Sequence, residues 1–262
     1  MVASRVMENL REKKRRGERL TALTAYDYPT ARLLDEAGID VILVGDSLGM
    51  VVLGYQDTTE VTLAEMLHHT RAAARGVKRA FLVADLPIHT YDTAEQALEN
   101  ARQLMAAGAQ AVKLEGGVAR VSQISAIVGA GIPLMGHIGM LPQSVREEGG
   151  YKLKGRTPAE AETLLRDARA VEEAGAFAMV LEIVAAETAR QITEAVHVPT
   201  IGIGSGQSCD GEILVTHDLI GLFPWFTPKF VKPEADVATE IRKAVAAFIE
   251  RTAAQSRLSA KV

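Results

Sequence analysis

Four short apolar runs in this chain each end in a carboxylate: Val41-Ile-Leu-Val-Gly-Asp46, Phe81-Leu-Val-Ala-Asp85, Ala111-Val-Lys-Leu-Glu115 and Met179-Val-Leu-Glu182. Short runs rich in Val, Leu and Ile read as buried strands. Acids at the ends of successive strands converge on one edge of a parallel sheet. Hard oxygen ligands gathered there bind a divalent cation, or move protons, or do both. The pattern is that of an enzyme.

Asp46, Asp85 and Glu115 end the second, third and fourth strands, which are neighbours. Three carboxylates this close repel one another unless a cation lies between them. Oxygen donors without Cys or paired His favour Mg²⁺, with its other positions left to water and substrate. Lys113 lies two residues before Glu115 and points to the same side of its strand. With Lys113 and the metal, the trio balances to neutrality, which suits a monoanionic substrate. Taken singly, each acid reads as a helix cap or a solvated loop residue; in register on adjacent strands they read as a metal centre.

Glu182 is flanked by Met179, Val180, Leu181, Ile183 and Val184. Apolar flanks disfavour the ionised form of a carboxylate and suit a general base. A fourth metal ligand or a lysine's partner is the competing reading. His137 ends the fifth strand, between Glu115 and Glu182 in strand order. It reads equally as a donor to a substrate oxygen and as a structurally satisfied histidine. Ser47, beside Asp46, offers its hydroxyl and backbone N–H to a carboxylate.

The elements that must position these groups alternate strand and helix. Strands are expected over Leu20–Ala25, Asp40–Asp46, Ala80–Leu86, Ala111–Glu115, Pro133–Ile138, Ala178–Val184, Pro199–Ile203 and near Ile213–Thr216. Helices are expected over Ala31–Ala37, Thr62–Arg75, Thr93–Ala107, Val118–Val128, Pro158–Ala174, Glu187–Val196 and Ala235–Arg251, with one more before the first strand. Gly38, Gly76, Gly108 and Gly175 read as left-handed caps. Alternation implies parallel pairing through right-handed crossovers. About eight such units in roughly 250 residues make a (β/α)8 TIM barrel. An open doubly wound sheet usually has a glycine-rich turn after its first strand; here Tyr26-Asp27-Tyr28-Pro29 stands there. One domain over residues 1–262 is expected, with a disordered tail over 255–262.

Two loops are long, Ser47–Val61 and Gly139–Thr157. The second carries Gly149-Gly150-Tyr151 with Lys152, Lys154 and Arg156, and reads as a mobile cover over an anionic substrate or as a solvated connector. Gly202-Ile-Gly-Ser-Gly206 is a weak match to a phosphate cradle.

Bulk composition excludes several classes. The 262 residues are 48% hydrophobic and 24% charged, with a formal net charge of -4. That charge gives no reason to expect nucleic acid or an anionic membrane as partner. The one cysteine, Cys209, allows no internal disulfide and fits a reducing cytoplasm. No apolar run approaches the ~20 residues of a membrane span.

The chain closely resembles the ketopantoate hydroxymethyltransferase family. The matching segments are Thr24-Ala-Tyr-Asp27, Val44-Gly-Asp-Ser-Leu-Gly49, Val83-Ala-Asp-Leu-Pro87, Val112-Lys-Leu-Glu-Gly116, Ile132-Pro-Leu-Met-Gly-His-Ile-Gly139, Pro142-Gln, Gly155-Arg-Thr157, Pro199-Thr-Ile-Gly-Ile-Gly204 and Asp210-Gly. They run in order along nearly the whole chain. It departs from the family at Ile88-His-Thr90 and at Val184-Ala-Ala186, where a Val-Pro pair is usual; neither stretch contains a named site residue. The resemblance implies a (β/α)8 barrel, one Mg²⁺ per subunit, a homodecamer, a cytoplasmic enzyme and a place in pantothenate synthesis. It puts metal and substrate on Asp46, Asp85 and Glu115, substrate also on Ser47 and Lys113, and the proton acceptor at Glu182.

The implied reaction joins 3-methyl-2-oxobutanoate to the one-carbon unit of 5,10-methylenetetrahydrofolate, giving 2-dehydropantoate through a Mg-stabilised enolate. Glu182 takes the C3 proton, and Lys113, with His137, stabilises the negative oxygen. A Mg²⁺-dependent 2-oxo acid lyase or mutase would use the same acids. A Schiff base on Lys113, or a barrel that only binds a 2-oxo acid, are further alternatives.

Overall fold

The computed structural model describes the backbone of residues 2–259 and the side chains of 5–254. In chain order its elements are α1 (Val2–Arg16), β1 (Leu20–Thr24), α2 (Tyr28–Ala37), β2 (Val41–Val44), α3 (Leu48–Val51), α4 (Leu63–Ala74), β3 (Phe81–Asp85), α5 (Ala94–Ala106) and β4 (Ala111–Lys113). Then follow α6 (Val121–Gly129), β5 (Leu134–Gly139), α7 (Val145–Glu148), α8 (Pro158–Glu173), β6 (Ala178–Glu182), α9 (Ala186–Ala195), β7 (Thr200–Ile203), β8 (Gly211–Leu214), α10 (Thr216–Leu219) and α11 (Val237–Ser259). Among the described residues, eight strands pair in parallel and in sequence order into a closed barrel, β8 returning to β1.

Side-chain alternation sorts each strand into two rows. Leu20, Ala22, Val41, Leu43, Phe81, Val83, Ala111, Met135, Ala178, Val180, Ile201 and Ile213 share one buried cluster inside the barrel. Ile42, Val44, Leu82, Ala84, Val112, Leu134, Met179 and Leu181 belong to the second cluster, with Ala31, Met66, Leu104, Ile127 and Ile192 of the surrounding helices. Leu10 of α1 joins the inner cluster beside Phe81 and Phe177, so the N-terminal helix stoppers the lower end of the barrel. Strands buried on both faces need no polar alternation, which is why they read as continuous apolar runs.

Local signals start and stop the helices. Asp27 accepts from Thr30 N at 2.8 Å to cap α2, and Thr62 with Glu65 forms a capping box on α4. Gly38, Gly108 and Gly175 take the left-handed conformation expected of them. Gly76 does not. It is required by close approach, since a Cβ there would lie 2.7 Å from Tyr28 O and 2.8 Å from Arg32 N.

The expectation of one unit over 1–262 meets a chain that divides into two compact units, 1–214 and 215–262. The division falls where the β8–β1 ladder has completed the barrel. In the second unit, Glu234 N donates to Leu219 O and Val237 N to Ile220 O, leading the backbone into α11. Of the expected disordered tail, the backbone of 255–259 continues α11, and residues 260–262 lie outside the described residues. Strand eight starts at Gly211 rather than near Ile213, and the expected helix from Val118 opens with a separate turn over Val118–Arg120.

Candidate active site

The inner rows of β3, β4, β5 and β6 each end, near the C-terminal tip, in a polar side chain. Asp85 follows Phe81 and Val83; Lys113 follows Ala111; His137 follows Met135; Glu182 follows Ala178 and Val180. Asp85 and Lys113 are register partners across β3 and β4, and Lys113 Nζ lies 2.5 Å from Asp85 Oδ1. Asp46, just beyond β2, donates its backbone N–H to Asp85 Oδ2 at 3.1 Å. Glu115 lies beyond β4, next to Gly116, whose N–H donates to His137 O at 2.8 Å. Asp46, Asp85, Lys113, Glu115 and His137 are all buried, and Glu182 is partly so. The structure thus gathers the expected residues at the end of the barrel where such enzymes do chemistry.

Burial raises the Asp46 carboxyl well above its usual range, and the charges of Asp85 and Glu115 add to the rise. Asp85 is raised too, by burial, although Lys113 works against it. Burial opposes the Lys113 ammonium, but Asp85, Glu115 and Asp46 outweigh it and hold the charge on. His137 behaves alike. Burial and Lys113 disfavour its charge, yet Glu115 and Glu182 push it up to about 9. Its Nδ1 stands 3.4 Å from Glu115 Oε1 and its Nε2 3.2 Å from Glu182 Oε2. Glu182 is therefore not in the wholly apolar setting its neighbours in sequence suggest, because its side chain reaches past them to the imidazole.

Ser47 heads α3 and pairs through Oγ with Tyr26 Oη at 2.8 Å.

Gln143, in the loop after β5, was not singled out as a site residue by sequence. It is buried, and its side-chain amide donates to Asp46 Oδ2 at 2.8 Å and to Leu86 O at 3.0 Å. Its backbone N–H donates to Glu115 Oε2 at 3.1 Å, and its Oε1 accepts from Tyr91 Oη. One residue thereby grips two of the three acids. The only sequence signal for it is the Pro142-Gln pair among the family segments. The same loop is fastened outside the barrel: Arg146 reaches Asp57 Oδ2 at 2.7 Å and Glu60 Oε1 at 3.1 Å in the other long loop. Lys154 pairs with Glu148, and Lys154 N donates to Ile183 O at 2.9 Å. Tyr151 is 46% exposed, yet burial and the charges of Glu182, Asp46 and Glu115 raise its phenol. Its hydroxyl lies 4.0 Å from Met50 Sδ of α3.

The donors suit a hard divalent cation. Asp46, Asp85 and Glu115 offer only oxygen, and Glu115 Oε1 is buried with no hydrogen-bond partner. Fully ionised, the four acids outnumber Lys113 and His137 by two charges, the charge of one such ion. Among the described residues, however, no three His, Cys, Asp or Glu side chains converge as a ready-made cage. A cation here would hold fewer protein oxygens at once than the three expected and complete its shell with water and substrate, as Mg²⁺ commonly does. The residues fit the ion on those terms.

Comparisons with known proteins agree with the sequence resemblance. A family profile for ketopantoate hydroxymethyltransferase matches residues 5–256. A 3-methyl-2-oxobutanoate hydroxymethyltransferase of Thermoanaerobacter sp. is 53% identical over 243 residues, 92% of this chain and 89% of that protein. Those of Dehalococcoides mccartyi and Ignicoccus hospitalis are 53% and 52% identical, over 94% and 93% of this chain and 88% and 93% of their own. Among solved structures, phosphonopyruvate hydrolase in complex with oxalate and Mg²⁺ superposes with TM-score 0.59 at 18% identity, over 96% of this chain and 87% of that one. The 2,3-dimethylmalate lyase, a PEP mutase/isocitrate lyase superfamily member, does so with TM-score 0.59 at 18% identity, over 96% and 98%. These two likenesses establish a shared barrel.

Proposed function

The chain belongs to the ketopantoate hydroxymethyltransferase family and is a hydroxymethyltransferase, and from that premise we propose that it moves a hydroxymethyl group from 5,10-methylenetetrahydrofolate to 3-methyl-2-oxobutanoate, giving 2-dehydropantoate for pantothenate synthesis. The observation that carries this reading is the ring of Asp46, Asp85, Lys113, Glu115, His137 and Glu182 on one rim of the barrel, where four carboxylates surround the buried Lys113 and His137.

Asp46, Asp85 and Glu115 supply the oxygens for a divalent cation of the Mg²⁺ type. Such an ion, when bound, supplies Lewis-acid polarisation of a keto oxygen. Ser47 holds the substrate carboxylate through its hydroxyl and N–H. Glu182 accepts the proton from C3, and the Lys113 ammonium offsets the negative charge that passes to the keto oxygen. His137, wedged between Glu115 and Glu182, keeps the base aimed. Water hydrolyses the two C–N bonds of the methylene bridge, releasing tetrahydrofolate and a one-carbon unit at the formaldehyde level; the carbanionic C3 adds to that carbon, and the carbonyl oxygen takes up a proton to become the new hydroxyl.

The test is an assay of product from 3-methyl-2-oxobutanoate, with and without the folate and with and without EDTA. Product that needs both folate and divalent ion supports the reading. Folate-independent cleavage of a 2-oxo or 2-hydroxy diacid would replace it with a lyase. Trapping of a substrate adduct on Lys113 by borohydride, with full activity in EDTA, would replace it with Schiff-base chemistry.

We further place the enzyme in the cytoplasm as a homo-oligomer, the decamer that the family resemblance implies. In support, no helix among the described residues is long and apolar enough to cross a membrane. Ile241, Val245, Phe248 and Ile249 lie exposed at helical spacing on α11, an apolar stripe that suits a second copy. Light scattering that returns a monomer would remove the assembly from the proposal.

A further inference from the structure

Ile183, the residue directly after Glu182, has φ 47° and so lies in the left-handed region. A β-branched side chain is an outlier there, and such a conformation survives only where the surroundings over-determine it. Here they do. Ile183 N donates to Ile203 O at 2.8 Å, and Ile183 O accepts from Lys154 N at 2.9 Å. Glu182 O accepts from Met140 N at 2.8 Å, an approach that needs Gly139, where a Cβ would lie 2.4 Å from Glu182 O.

Ser205 closes this arrangement. It is 1% exposed. Its Oγ donates to Leu181 O at 2.7 Å and accepts from Val184 N at 2.9 Å. One hydroxyl thus ties the residue before Glu182 to the residue two after it, across the left-handed turn of the chain. Leu181 O lies within the β6–β7 ladder, whereas Val184 N–H, past the end of β6, has Ser205 Oγ as its acceptor. Within the glycine-rich run, Ser205 thus bonds the backbone on both sides of Glu182.

We infer that Ser205 is a positioning residue for proton abstraction: it locks Ile183 in its left-handed conformation and so fixes the backbone from which Glu182 reaches the substrate carbon. The inference rests on Glu182 being the base. Removal of the hydroxyl leaves Val184 N buried without its acceptor, strips Leu181 O of its second donor, and frees Ile183 to return to the extended region. That rotation carries the Glu182 carboxylate away from His137, while Ser47 and the metal-binding acids on the far side of the rim stay put.

The experiment follows deuterium uptake at C3 of 3-methyl-2-oxobutanoate by NMR, with Mg²⁺ and the full chain, beside steady-state kinetics. In Ser205→Ala, exchange rate and kcat fall by about 10- to 100-fold while KM stays within about twofold, as expected of a base displaced by ~1 Å. Adding Ile183→Gly to that variant restores most of the loss, because glycine takes a positive φ freely. A general loss of structure would not be lifted by a second glycine. Ser205→Cys, of similar volume but weak in both hydrogen bonds, carries the same comparison if the alanine variant does not fold. Parental exchange in Ser205→Ala, or a loss that Ile183→Gly leaves in place, overturns the inference. Glu182→Gln separates it from its premise: parental exchange there removes base and clamp together, whereas lost exchange there with parental exchange in Ser205→Ala removes the clamp alone.

Discussion

His137 Nε2 stands 3.2 Å from Glu182 Oε2, and the opposite nitrogen of the same ring stands 3.4 Å from Glu115 Oε1. One imidazole therefore joins the proposed base to the acids of the proposed metal pocket, and its charge matters to both.

That charge makes stability depend on pH. His137 is raised from 6.5 to about 9 in the folded protein, against burial and Lys113 and through Glu115 and Glu182. Folding takes up a proton between those values, so the stabilisation is complete below pH 6.5 and is lost as the pH climbs toward 9. The size is about 3 kcal/mol, at ~1.4 kcal/mol per unit. Urea unfolding in EDTA at several pH values across this window measures it. His137→Gln reduces the slope; an unchanged slope would refute the assignment.

Cation binding relieves the crowding of Asp46 and Asp85, whose carboxyls burial and neighbouring acids raise. Mg²⁺ at a hundred times its Kd stabilises the fold by about 2.7 kcal/mol. The gain is larger at pH 8 than at pH 6, since the ligands must shed their protons. Thermal melts with MgCl₂ against EDTA test this. Melts that do not respond to the ion at either pH would speak against a metal centre.

Gln143 holds one oxygen each of Asp46 and Glu115. Gln143→Ala leaves the backbone bond to Glu115 but removes the grip on Asp46. Mg²⁺ affinity then falls about 10- to 100-fold, the usual cost of losing a group that orients a ligand. Titration calorimetry reads the change directly, and parental affinity in the variant would show that Gln143 only fills space.

Lys113 and Asp85 form a buried pair at 2.5 Å. Lys113→Ala strands Asp85 and lowers stability of the metal-free protein by about 3–5 kcal/mol. Asp85→Asn added to it recovers a large part, because the charge left alone is gone. Denaturant midpoints for the two single variants and the double variant close the cycle; simple additivity would mean the pair is not coupled.

Much of this was legible in the residues. Strands buried on both faces leave continuous apolar runs, and the inner row of β3 carries Phe81, Val83 and Asp85 at a spacing of two, so the acid's place on the rim follows from parity. Asp46 and Glu115 each lie two residues beyond their strands, where the ladder no longer holds the backbone and tertiary contacts decide. Gln143 left no periodic trace, because a loop residue shows its role only when the chain is folded back over the barrel. Gly76 shows that a glycine behind a helix answers to packing as well as to φ. The left-handed Ile183 is invisible in sequence, since its residue type argues against that conformation. The surroundings of Glu182 were misread for a related reason: Met179, Leu181 and Val184 face the helices, while the carboxylate faces His137.

Leu10 gives the barrel a floor, and the floor governs traffic. With the lower end stoppered, every molecule that reaches Glu182 must come and go by a single doorway.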